Sequence, residues 1–178
     1  MNEIRLAVTA EDRRIAGMAA VAIGLTLAEA AIPSPLPGVK PGLANIVILL
    51  VMLQHGFRTA LWVMAIRLLA GSLLLGTFLS PGFWLAAAGA MASGCMLYCS
   101  RFAPARLFGP VSLSLWMAFA HIGGQLALAK IWFFTEVDIA ALIPLFALAA
   151  LVFGTVNGLV VARLVANKSP AGAQSANA

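Results

Sequence analysis

Apolar runs succeed one another along this chain, at about residues 15–32, 43–55, 57–79, 83–100, 110–134 and 139–163, with only short breaks between them. A helix needs about 20 predominantly apolar residues to cross the hydrocarbon core of a bilayer. Six such crossings with tight connections nearly exhaust 178 residues, so no separate soluble domain fits beside them. Composition agrees: 62% of the residues are hydrophobic and 10% charged, against roughly 25% charged in a soluble domain. The runs are continuously apolar and rich in Ala, Leu and Gly, whereas strands of a transmembrane barrel alternate in pieces of about ten residues. The expected fold is therefore an all-α integral membrane protein, a bundle of about six transmembrane helices. Residues 1–14 are its polar lead, 15–163 the membrane domain, and 164–178 a small, polar tail expected to be disordered and cytoplasmic.

The stretch Thr9-Ala-Glu-Asp12 has the form of a capping box, which places a helix start near Ala10. Pro33, Pro35, Pro37 and Pro41 close that helix. A competing reading exists, because Arg13-Arg14, the apolar Ile15–Leu27 and Ala28-Glu29-Ala30 together have the layout of a secretory signal peptide. The later breaks fall at Gln54-His55-Gly56, Ser80-Pro81-Gly82, Arg101–Gly109 and Thr135–Asp138. Cys95 and Cys99 are the two cysteines. Four apart on one apolar run, they are poorly placed for a disulfide and lack a His to complete a metal set, so they read as small buried hydrophobes.

The formal charge of +5 comes from eleven Lys and Arg scattered singly at the ends of apolar runs. No basic stripe with interleaved aromatics occurs, which argues against a nucleic-acid partner. The basic residues read as topology signals instead. With the N-terminus cytoplasmic, the inner segments carry Arg5, Arg13, Arg14, Arg58, Arg101, Arg106, Arg163 and Lys168, and the outer loops carry Lys40 with Glu136 and Asp138. This positive-inside asymmetry puts both termini inside a bacterial-type cytoplasmic (inner) membrane.

Several polar residues fall within or beside the runs. Arg67 lies nine residues beyond Arg58, about 13 Å along a helix and so near the bilayer midplane. A lone Arg there costs about 2.5–3.5 kcal/mol on insertion scales, so it should face the bundle interior, either contacting a ligand or clamping neighbouring backbone. His121 and Gln125 are four apart and share one helix face, with Trp132 seven residues further on that side. They suit a ligand or hydrogen-bonded packing. Lys130 points elsewhere and reads as a snorkelling anchor. Glu29, Lys40 and Asn45 are close in sequence around one outer mouth; they form either a polar gate or an ordinary Glu29–Lys40 ion pair. Ala16-x-x-x-Ala20 and Gly154-x-x-x-Gly158 have the small-xxx-small spacing that lets helices approach closely, inside the bundle or against a partner.

Absences narrow the chemistry. The chain has no phosphate-binding G-x-x-x-x-G-K-[ST], no Asp-rich cation-binding pair, no H-E-x-x-H, no G-x-S-x-G, and six carboxylates in all. Autonomous ATP hydrolysis or metal-dependent diphosphate chemistry is not expected, and neither a cofactor nor a metal is implied.

The segment from Glu29 through Pro33-Ser-Pro-Leu-Pro-Gly-Val-Lys-Pro-Gly-Leu-Ala-Asn45 to Val47 resembles the signature of the Gx transporter family, also labelled heptaprenyl diphosphate synthase component I. Pro41 stands where that signature has an apolar residue. The resemblance extends through the Arg67 run to about residue 163. The wider pattern, a first helix, a Pro-Gly loop and a second helix opening on a polar residue, is similar to the substrate-binding S-components of energy-coupling factor transporters. That similarity implies six helices with both termini inside, ligand capture around Pro33–Asn45, and Ala16 and Ala20 docking a transmembrane coupling subunit.

Three functions stay open. The chain is a small-molecule uptake subunit that binds a polar or anionic ligand through Glu29, Lys40, Asn45, Arg67, His121 and Gln125, energised by separate ATPases. It is, alternatively, the non-catalytic membrane component of a prenyl diphosphate synthase whose soluble prenyltransferase partner carries the chemistry. The third is a structural membrane subunit without a ligand.

Overall fold

A computed structural model describes residues 8–32, 42–102, 109–133 and 139–168. Six helices follow in order: α1 (Ala10–Ala31), α2 (Leu43–His55), α3 (Phe57–Leu74), α4 (Pro81–Ser100), α5 (Pro110–Leu128) and α6 (Ile143–Lys168). A π-helical turn, Ala129–Phe133, continues α5, and a 3-10 turn, Ile139–Leu142, leads into α6. Among the described residues there is no strand. The bundle is all-α, as the run pattern requires.

Local chemistry sets the helix ends. Thr9 caps α1 as expected: Asp12 N–H donates to its hydroxyl at 3.1 Å, while the Thr9 N–H donates to the Asp12 carboxylate at 2.9 Å. Ser80 accepts from Phe83 N–H at 3.3 Å ahead of Pro81, whose missing N–H costs nothing in a first turn. Gly56 alone separates α2 from α3, at a φ of 85° that favours a residue without a Cβ.

Five helices are long and apolar enough to cross a membrane; α2, with 13 residues, is the shorter sixth. It rises about 20 Å, well short of a hydrocarbon core about 30 Å thick. Yet α2 contacts α1, α3, α5 and α6, and its Ile48, Leu49 and Val51 are among the most enclosed side chains of the protein. A half-length helix thus forms the centre of the bundle.

Glycine brings the outer helices together in antiparallel pairs. A Cβ added at Gly89 of α4 would meet the His121 ring at 2.8 Å, and one at Gly124 of α5 would meet the Ala88 carbonyl at 2.7 Å. Between α5 and α6, a Cβ at Gly154 would lie 3.0 Å from Ala118 Cβ, and one at Gly158 would lie 2.6 Å from Val111 Cα. Gly154 and Gly158 are therefore internal packing residues.

The perimeter is apolar. Leu61, Trp62 and Leu69 of α3, and Leu148, Leu151, Val156 and Leu159 of α6, are exposed. So much outward aliphatic surface suits lipid, not water. Aromatic groups gather at both ends, as in interfacial belts. Trp84 and Trp132 have ring centroids 5.7 Å apart, and at the other end the Arg101 guanidinium lies 5.6 Å from the Tyr98 ring and 5.8 Å from that of Phe57. Cys95 and Cys99 correct the reading made from sequence: both are free and exposed on α4. They are small apolar residues of the lipid-facing perimeter, where hydrocarbon accepts a thiol as readily as a core does.

Candidate functional site

The short α2 brings polar chemistry to the middle of the bundle. Leu43 lies twelve residues before His55, about 18 Å from the end of the bundle that carries Arg58 and Arg101. The same rise places Arg67, ten residues past Phe57, at about 15 Å from that end. His121, eleven past Pro110, and Gly89, eleven before Ser100, both come to about 16 Å. Four helices thus deliver polar or glycine positions to one level, near the depth of a bilayer midplane.

Glu29 reaches this level from α1. It is 6% exposed, and its Oε1 accepts hydrogen bonds from the backbone N–H groups of Gly42 and, at 3.4 Å, of Leu43. Gly42 supplies α2 with no side-chain cap, so a carboxylate from another helix does so. This arrangement places a negative group at the positive end of a helix dipole. Asn157 of α6, 6% exposed, completes the junction by donating through Nδ2 to the Gly42 carbonyl at 3.3 Å. Asn45 is half-buried one turn into α2, its Nδ2 3.1 Å from where a Gly42 Cβ would stand. Gly42 adopts a φ of 70°, so this crowded corner suits glycine twice over, by conformation and by space.

Arg67 of α3 stands at the level of Glu29 of α1 and His121 of α5. The Arg67 Nε–H is enclosed, yet it meets no hydrogen-bond acceptor among the described residues. His121 lies over Gly89, and its Nε2 is 3.2 Å from the Gln125 amide nitrogen. Nδ1 is likewise enclosed without a partner among the described residues. Buried polar atoms of this kind are rare in native proteins, because each carries about 1–3 kcal/mol of uncompensated desolvation.

Of the residues singled out from sequence, Glu29, Asn45, Arg67, His121 and Gln125 fall in or beside this layer. Lys40, with the rest of the proline-rich segment 33–41, lies outside the described residues, as does the tail after Lys168. Glu29 makes backbone contacts at mid-depth, and the Glu29–Lys40 pairing expected from sequence involves a residue outside the described set. Trp132 leaves the His121–Gln125 face because the π turn interrupts the α-helical register, and it is exposed against Trp84. Ala16 and Ala20 stand apart from the layer, exposed on α1 together with Gly17, Gly24 and Ala28. Nothing lies within 4 Å of a Cβ placed at Gly17 or Gly24. Asn157 was missed from sequence, although a carboxamide inside an apolar run is the same signal that marks Arg67. Among the described residues no group of three or more His, Cys, Asp and Glu gathers to hold a metal ion.

Residues 18–164 match the family described as heptaprenyl diphosphate synthase component I, and the chain belongs to that family. No curated protein and no solved structure matches it significantly.

Proposed function

We propose that this member of the heptaprenyl diphosphate synthase component I family is the substrate-binding subunit of an energy-coupling factor type uptake transporter. In this reading the chain binds a small polar molecule and catalyses no reaction. Energy comes from separate ATPases acting through a coupling membrane subunit. The observation that carries the reading is the mid-depth layer of Glu29, Arg67, His121 and Gln125, with two enclosed polar atoms, Arg67 Nε and His121 Nδ1, unmet among the described residues. Polar groups at that depth are expensive, and a polar ligand would supply the partners they lack. Asn45 belongs to the same set, and Lys40 is assigned to ligand capture from the outer side.

The outward strip Ala16, Gly17, Ala20, Gly24 and Ala28 supports the docking half. Small residues let a second helix come close, and here no other described part of the chain covers them. The positive-inside asymmetry supports a cytoplasmic-membrane location with both termini inside.

The test is purification of the tagged protein from its native membrane in mild detergent, followed by mass spectrometry of the proteins and small molecules that stay attached. The expected result is an ATPase with a membrane coupling subunit, and one defined metabolite that Arg67→Leu loses. A second reading follows from the family description, a non-catalytic partner for a soluble prenyltransferase. Recovery of that enzyme, with no ATPase, would replace the transporter reading.

A further inference from the structure

Two cations at one end of the bundle have no acidic partner among the described residues. Arg58 is the second residue of α3, and Arg101 follows the last residue of α4. Both are exposed, and neither side chain makes an ion pair or a hydrogen bond with a described residue. Arg101 suits its place at the negative end of α4. Arg58 stands in the first turn of α3, at the positive end of a helix dipole, where a fixed cation is unfavourable unless an anion answers it. The stability of α3 does not account for it.

Aromatic rings fix the second cation. The Phe57 and Tyr98 centroids are 5.5 Å apart, across α3 and α4, and the Arg101 guanidinium lies 5.8 Å from the first and 5.6 Å from the second. Tyr98 also meets Phe102, at 5.5 Å. Rings attract a cation without taking up its N–H donors as a carboxylate would, so the guanidinium is positioned and still free to donate. Phe102 is 77% exposed, at the end of the helix, where aromatic side chains meet headgroups. One turn deeper, Leu61 lies four residues after Phe57 and Cys95 three before Tyr98, and both are exposed. Donors at the rim with an apolar seam below them match the two halves of a phospholipid.

We infer that Arg101, together with Arg58, seats the phosphate of an anionic phospholipid whose acyl chain follows the α3–α4 seam past Leu61 and Cys95. A guanidinium takes a phosphate through two parallel N–H donors, and clustered basic side chains at a membrane surface favour anionic headgroups. Phosphatidylcholine carries the same phosphate with a cation of its own, which the two arginines repel. The site is separate from the buried layer and from the outward face of α1, and it does not depend on the transport reading.

Native mass spectrometry of the purified full-length chain, released from micelles doped with equal amounts of dioleoyl phosphatidylglycerol and dioleoyl phosphatidylcholine, reads the lipid retained. The wild type is expected to keep phosphatidylglycerol with a preference of at least about tenfold. Arg101→Gln should bring the two lipids to within about twofold of each other, and Arg58→Gln should lower the preference at least about threefold. Arg101→Lys keeps the charge without the planar fork and should fall between wild type and Arg101→Gln. Arg163→Gln removes the same charge from an exposed position of α6 and should leave the preference within about twofold of wild type. Thermal midpoints in lipid-free detergent should match for all four variants, since each side chain is exposed; if Arg101→Gln unfolds, Arg101→Lys and Arg58→Gln decide by the same measure. Equal retention of the two lipids by the wild type, or a loss as large for Arg163→Gln as for the site variants, overturns the inference. Displacement of the lipid by an equimolar amount of glycerol phosphate, the headgroup without its chains, overturns it in favour of a free-anion site.

Discussion

A single carboxylate, Glu29, organises three parts of the protein, and its two jobs can be separated by substitution. As an acceptor it satisfies the Gly42 and Leu43 N–H groups; as a charge it stands at the level of Arg67. Glu29→Ala leaves the amides bare at mid-depth, where no water replaces the bond, and should cost about 1–3 kcal/mol. Glu29→Gln retains an acceptor and should cost less. Thermal unfolding in detergent, read by circular dichroism, should rank wild type, Gln and Ala in falling order; equal midpoints for Gln and Ala would contradict the capping role. Glu29 and Arg67 were legible in the sequence because ionisable residues stand out in apolar runs. Their placement at one level was not, since nothing in spacing says that a residue of α1 caps a helix beginning fourteen residues later. Asn157 shows the opposite failure, a polar side chain visible inside an apolar run and not singled out.

The helices differ in what their glycines do. In α5 and α6, Gly154 and Gly158 let backbones touch, with 2.6 Å between a hypothetical Gly158 Cβ and Val111 Cα. Gly17 and Gly24 of α1 face open space. Gly158→Leu must therefore spread α5 from α6 and should destabilise the isolated protein by about 1–3 kcal/mol or more, whereas Gly24→Leu should change stability little or raise it by improving helix propensity. Comparable midpoints for the two variants would refute this division. Periodicity could not have made it, because both glycine pairs sit in equally apolar runs. Length was the more informative signal at this scale. The run 43–55 is visibly the shortest, yet it reads as a crossing until its central position shows that an enclosed helix need not span.

At the scale of the molecule, an exposed face of small residues on α1 and a polar layer enclosed by the bundle are separate features, so binding and docking should be separable. Ala16→Leu with Ala20→Leu places two isobutyl groups on a surface that no described residue covers. The bundle should fold with an unchanged midpoint, because α1 packs inward through Ala19, Ala22 and Glu29. In the proposed transporter the pair blocks close approach of the coupling subunit. Co-purification of that subunit and its ATPases should fall at least about tenfold, while retention of the attached metabolite stays within about twofold of wild type. Arg67→Leu should do the reverse, keeping the partners and losing the metabolite. If both variants lose both properties together, binding and docking share one structural dependence and the two-site description fails. If Ala16→Leu with Ala20→Leu leaves the partners bound, α1 is an ordinary lipid-facing helix and the docking face must be sought elsewhere on the perimeter.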